Sequence, residues 1–106
     1  MTQDVRKTLV VLSQIKTAIE VGISPTRAVA LAMESPSVSV LFSDEAIQRV
    51  IKNVESGTDI SVALSTLDIL SEYDQALIQA AGYNCNFDGA ISAAINQHMF
   101  IRSLGV

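Results

Sequence analysis

The amino-acid sequence predicts an all-α fold, a compact six-helix bundle built from helical hairpins and forming one domain over residues 1–106. Three observations point there. Apolar residues recur at three- and four-residue intervals along most of the chain, the spacing that gathers them on one face of a helix. One pattern of helix, glycine turn and capped helix is written twice, as Glu20-Val21-Gly22-Ile23-Ser24-Pro25-Thr26-Arg27-Ala28-Val29 and as Glu55-Ser56-Gly57-Thr58-Asp59-Ile60-Ser61-Val62-Ala63-Leu64. Hydrophobic residues make up 49% of the sequence but aromatics only 5%, so the core is built from Leu, Ile, Val, Ala and Met, which suit close helix packing. A chain of 106 residues buries one core and is too short to divide into two.

The repeated turn has a chemical reason. A glycine just past a helix takes positive φ cheaply, which lets the last carbonyls find partners, so Gly22 and Gly57 are expected to end helices. Two residues on, Ser24 and Asp59 can turn a side-chain oxygen onto the free amides of the next helix, and Pro25 fits a first helical position. Gly82 opens a looser third version, Gly82-Tyr83-Asn84-Cys85-Asn86-Phe87-Asp88-Gly89-Ala90-Ile91, with a longer turn before Asn86 caps the final helix.

Taken in order, Asp4 caps a first helix whose stripe is Val5, Leu9, Leu12, Ile15 and Ile19. Lys16 and Glu20 stand four apart on its outer side, in the less favourable order for an ion pair. The second helix runs from Pro25 to about Glu34 with Ala28, Val29, Ala32 and Met33 inward, and Pro36 ends it because the residue before a proline avoids the helical region. Ser37 to Phe42 is an apolar connector, coil or a single turn, expected to plug one end of the core. Ser43 caps a third helix with Ala46, Ile47, Val50, Ile51 and Val54 buried, and Asp44 and Glu45 suit its positive first turn. Asp59 starts a short fourth helix through Ile60, Ala63, Leu64 and Leu67. Ser71-Glu72-Tyr73-Asp74 has the spacing of a capping box for a fifth, with Tyr73, Ala76, Leu77, Ala80 and Ala81 as its apolar face. The sixth presents Phe87, Ala90, Ile91, Ala94, Ile95, His98 and Met99.

Charge and chemistry narrow the function. The formal net charge is −4, which disfavours general binding to nucleic acid or to acidic membranes. Only Arg27 among the residues after Pro25 could serve a recognition helix, so a DNA-binding reading ranks last. No apolar run approaches the length of a membrane span, and the polar start lacks a signal-peptide core. The sequence contains one cysteine, Cys85, and one histidine, His98. No internal disulfide, zinc spacing, phosphate loop or nucleophile–base pair follows from them, and no cofactor, metal or catalytic residue is expected. His98 reads as a half-buried ring bonded to backbone or water, and Asp68, Glu72 and Asp74 as an acidic corner too sparse for a calcium loop. The small residues Ala76, Ala80, Ala81, Ala90, Ala93 and Ala94 read as close approach of the last two helices rather than as an interface between copies.

The run Leu12 to Leu31, the element Val50-Ile51 through Val54-Glu55-Ser56-Gly57-Thr58-Asp59-Ile60-Ser61-Val62-Ala63-Leu64, and Ala80-Ala81-Gly82 together resemble the soluble domain of the polytopic inner-membrane platform proteins of type II secretion and type IV pilus machines. That family carries a leucine, ala-gly-(val/ile)-pro and alanine–leucine helix element, followed by a (val)-x-x-gly-x-ser-leu-x-x-ala-leu element. Its third signature, ala-gly-glu-x-(ser/thr)-gly, is departed from here: after Ala81-Gly82 the chain reads Tyr83-Asn84-Cys85-Asn86, so no role of the family's glutamate carries over. The resemblance implies a six-helix domain normally present in two copies that alternate with membrane helices, this chain being the first copy, ending before a membrane span. It implies a mechanical function at the cytoplasmic face of the bacterial inner membrane: a scaffold that couples a hexameric assembly ATPase and other platform subunits to the movement of pilin-like subunits, assembled as a homodimer or higher oligomer. Arg27, Arg49 and Lys52 are the candidate partner-binding surface, placed to meet an acidic partner. The other reading of the residues is a free-standing cytoplasmic helical adaptor or regulatory module.

Overall fold

A computed structural model of the chain describes residues 5–84 and 86–103. Among them there is no strand, and seven helices form: α1 (Val5–Glu20), α2 (Pro25–Glu34), α3 (Pro36–Ser39), α4 (Asp44–Glu55), α5 (Ile60–Ser65), α6 (Glu72–Asn84) and α7 (Phe87–Ser103). The count exceeds the expected six because the connector closes one helical turn, α3. Ser35, held extended at ψ 137 by the proline after it, ends α2 and begins α3, and Pro36 occupies the first helical position. Val38 of that turn is fully buried and fills the core, whereas Val40 stands 79% exposed, so only part of the connector acts as a plug.

The repeated turn has one geometry. After α1, the Ile23 amide donates to the Ala18 carbonyl at 3.1 Å and the Gly22 amide to Ile19 at 3.0 Å; after α4, Thr58 donates to Asn53 at 2.9 Å and Gly57 to Val54 at 3.2 Å. These are two Schellman turns, with Gly22 at φ +94 and Gly57 at φ +95. The starts of the following helices differ. Asp59 caps α5 by accepting from the Ser61 amide at 2.9 Å and its hydroxyl at 2.7 Å. Ser24 holds the extended N-cap conformation before α2, but its side chain caps nothing; Pro25 at the next position removes one of the amides that needed an acceptor. Gly82 does not stop a helix: α6 runs through it to Asn84. Glycine weakens a helix by only about 1 kcal/mol, and the reversal is made nearer Asn86, whose side chain accepts from the Gly89 amide at 3.1 Å at the start of α7. Asp4, proposed to cap α1, lies outside the described residues, as does Cys85.

Ser43 caps α4 by accepting from the Ala46 amide at 3.2 Å, with Asp44 and Glu45 in the first turn. The capping box of α6 is complete: the Asp74 amide donates to Ser71 Oγ at 3.1 Å and the Ser71 amide to Asp74 Oδ2 at 3.0 Å. Between α5 and α6 the chain turns at Asp68, in the left-handed region at φ 57, and then buries Ile69 and Leu70.

One cluster of apolar side chains runs through all seven helices, with Leu12, Ile15, Met33, Leu64, Ile69, Ile78 and Ile91 among its most buried members. Each contributes about 1.5–3 kcal/mol of burial. Helix α1 packs along α2 and α7, α2 along α4, and α6 along α7 and α5. The buried faces of α2, α4 and α5 are built on the expected residues. In α1, Thr8 and Val11 are buried beside Leu12 and Ile15, and the Thr8 hydroxyl donates to the Ile69 carbonyl. In α6 the face is turned: Asp74, Ile78 and Ala81 are buried, while Tyr73, Ala76 and Ala80 are exposed.

Helices α1 and α7 run antiparallel. Thr8 reaches Ile69 and His98 reaches Asp74, so the beginning of α1 and the later part of α7 converge on the 69–74 segment, while Lys16 meets Asp88 and Ser92 at the opposite end.

Candidate functional site

The most unusual polar arrangement among the described residues lies inside this packing. Asp74 is wholly buried and His98 is 3% exposed, and Nε2 of the imidazole lies 2.6 Å from Oδ2 of the carboxylate. Its two halves arise locally. The capping box fixes Asp74 at the start of α6, and the three- and four-residue rhythm of Ala90, Ile91, Ala94 and Ile95 brings His98 onto the buried face of α7. With the Ser71 amide also donating to Oδ2, the carboxylate acts as the acceptor and Nε2 as the N–H donor. Asp74 Oδ1 and His98 Nδ1 are buried without a hydrogen-bond partner.

Ser71, Asp74 and His98 thus bring together the three residue types of a hydrolytic triad, but in the wrong order. In a triad the imidazole stands between hydroxyl and carboxylate and takes the hydroxyl proton. Here the carboxylate bonds the imidazole, and the Ser71 hydroxyl oxygen accepts from the Asp74 amide. No bond joins the Ser71 hydroxyl to the imidazole, and the ring is closed off from solvent. The arrangement can hold two helices together; it is not set up to move a proton to a substrate.

The acidic corner does not form as a corner. Asp74 points into the core, whereas Asp68 and Glu72 are exposed, and no group of three His, Cys, Asp or Glu residues suited to a metal occurs among the described residues. The expected partner of His98 is also corrected: it is a carboxylate 24 positions away rather than backbone or water, and the ring is fully rather than half buried. Cys85, with which His98 is not expected to pair, lies outside the described residues.

Arg27, Arg49 and Lys52 are all exposed. Arg49 and Lys52 stand one turn apart on α4, and Arg27 lies in the first turn of α2, which packs on α4. Lys52, in the last turn of α4, also offsets the negative end of that helix. Another cation, Lys16, joins two helices. Lys16 Nζ lies 3.2 Å from Asp88 Oδ1, 2.8 Å from Ser92 Oγ and 3.4 Å from Glu20 Oε2, fastening α1 to α7. Its hydrogen bond to Asp88, with the Asp88 and Glu20 charges adding and desolvation opposing, raises the ammonium above its ordinary 10.5. Sequence periodicity displays the Glu20 partner but carries no signal for Asp88, 72 positions on.

Of the small residues, Ala81, Ala90 and Ala94 are buried between helices, Ala93 is intermediate, and Ala76 and Ala80 face outward. Leu77, Ala80, Ala81, Asn86, Gly89 and Ala90 line an open cleft of about 230 Å³ along α6 and α7. Among the described residues no helix is long and apolar enough to cross a membrane. Comparison of the chain with protein-family models, with curated proteins and with solved structures finds no match.

Proposed function

We propose that this chain is a non-catalytic scaffold domain of an inner-membrane platform protein for type IV pilus or type II secretion assembly, docking the assembly ATPase and other platform subunits at the cytoplasmic face of the membrane. The observation that carries the reading is the repeated hairpin. Two of the three sequence elements that bear the resemblance each fold as helix, Schellman turn and second helix, with Gly22 and Gly57 within a degree of one another in φ. A module that transmits force needs helices fastened to each other, and two polar contacts supply this between distant parts of the chain: Lys16 with Asp88, and Asp74 with His98. The docking face is assigned to Arg27, Arg49 and Lys52, whose exposed charges suit an acidic surface on the ATPase.

Binding of the purified chain to the assembly ATPase of the same organism tests the proposal. Saturable binding is expected, weakened about tenfold or more by combined Arg27→Glu, Arg49→Glu and Lys52→Glu, with a strong dependence on salt. No binding to the ATPase, together with recovery of the natural gene product in the soluble fraction, would overturn the platform reading and leave the free-standing adaptor.

A further inference from the structure

We draw no further inference here: the strongest candidate, the open cleft along α6 and α7 lined by Leu77, Ala80, Ala81, Asn86, Gly89 and Ala90, is a groove of mostly small residues, and nothing in the structure shows what covers it.

Discussion

His98 Nε2 and Asp74 Oδ2 meet at 2.6 Å in the interior, so one carboxylate oxygen serves both the N-terminal cap of α6 and the attachment of that helix to α7. A short contact of this kind has the length of a charge-assisted hydrogen bond. Its value depends on both members being present. Removing the imidazole leaves a buried carboxylate with only the Ser71 amide, and removing the carboxylate leaves a buried ring and a Ser71 amide without its acceptor, although Ser71 Oγ still caps the helix. We expect His98→Ala and Asp74→Ala each to cost about 3 kcal/mol or more in urea unfolding. The double variant is expected to cost less than the two singles added, with coupling of about 1–3 kcal/mol. Single losses below about 1 kcal/mol would show that the contact contributes little to stability.

The two Schellman glycines isolate a backbone effect from packing. An added Cβ at Gly22 or Gly57 would meet nothing within 4 Å, so a substitution is opposed by φ alone. Gly57→Ala and Gly22→Ala are each expected to lower stability by about 1 kcal/mol, and Gly57→Val by more, because a branched side chain tolerates positive φ least. Gly82→Ala should act in the opposite sense, gaining up to about 1 kcal/mol, because α6 continues through that position. Thermal melts of the variants check all of this, and equal losses at 57 and 82 would contradict the difference in their backbone roles.

What the sequence disclosed follows from what periodicity can and cannot register. The inward residues of α2, Ala28, Val29, Ala32 and Met33, are all buried, because a purely apolar stripe bounded by Gly22 and Pro36 leaves only one way to turn the helix. In α6 the same method points to Tyr73, Ala76 and Ala80, which are exposed, since it scores the apolar neighbours and passes over Asp74 as charged. The rotation that buries Ile78 also buries that aspartate, whose Oδ2 accepts from Ser71 and His98 while Oδ1 has no partner. The local half of the site, Ser71 with Asp74, is legible from a spacing of three; the other half spans 24 positions and depends on how α7 packs. Thr8 is hidden in the same manner, a polar residue within an apolar helix whose acceptor is 61 positions away. The candidate surface of Arg27, Arg49 and Lys52 rests on charge and exposure, which sequence reaches without the tertiary fold.

The Thr8 hydroxyl offers a separate test of the long-range polar contacts. Threonine and valine are nearly the same shape, so Thr8→Val removes the bond to the Ile69 carbonyl with little change in packed volume. A loss of about 1 kcal/mol is expected. The α5–α6 connection should loosen with it, measured as faster hydrogen exchange at the amides of residues 69–71. A variant as stable as the parent would mean that burial of the added methyl offsets the lost bond.

Lys16 makes the stability of the α1–α7 contact dependent on pH in a known direction. Its folded-state pKa is raised by the hydrogen bond to Asp88, aided by the Asp88 and Glu20 charges, so the folded chain holds this proton more firmly than the unfolded chain does. The contribution is therefore fully present below the ordinary value of 10.5 and is lost as pH rises through the raised value. Melting temperatures of the parent and of Lys16→Met, measured from pH 9 upward, should converge in alkali, with the difference between them largest below pH 10.5. Because the ammonium remains in contact with solvent, added salt should also shrink that difference. A gap between the two proteins that stays constant through this range, or widens with pH, would show that Lys16 acts through the packing of its aliphatic stem against α7 rather than through its charge.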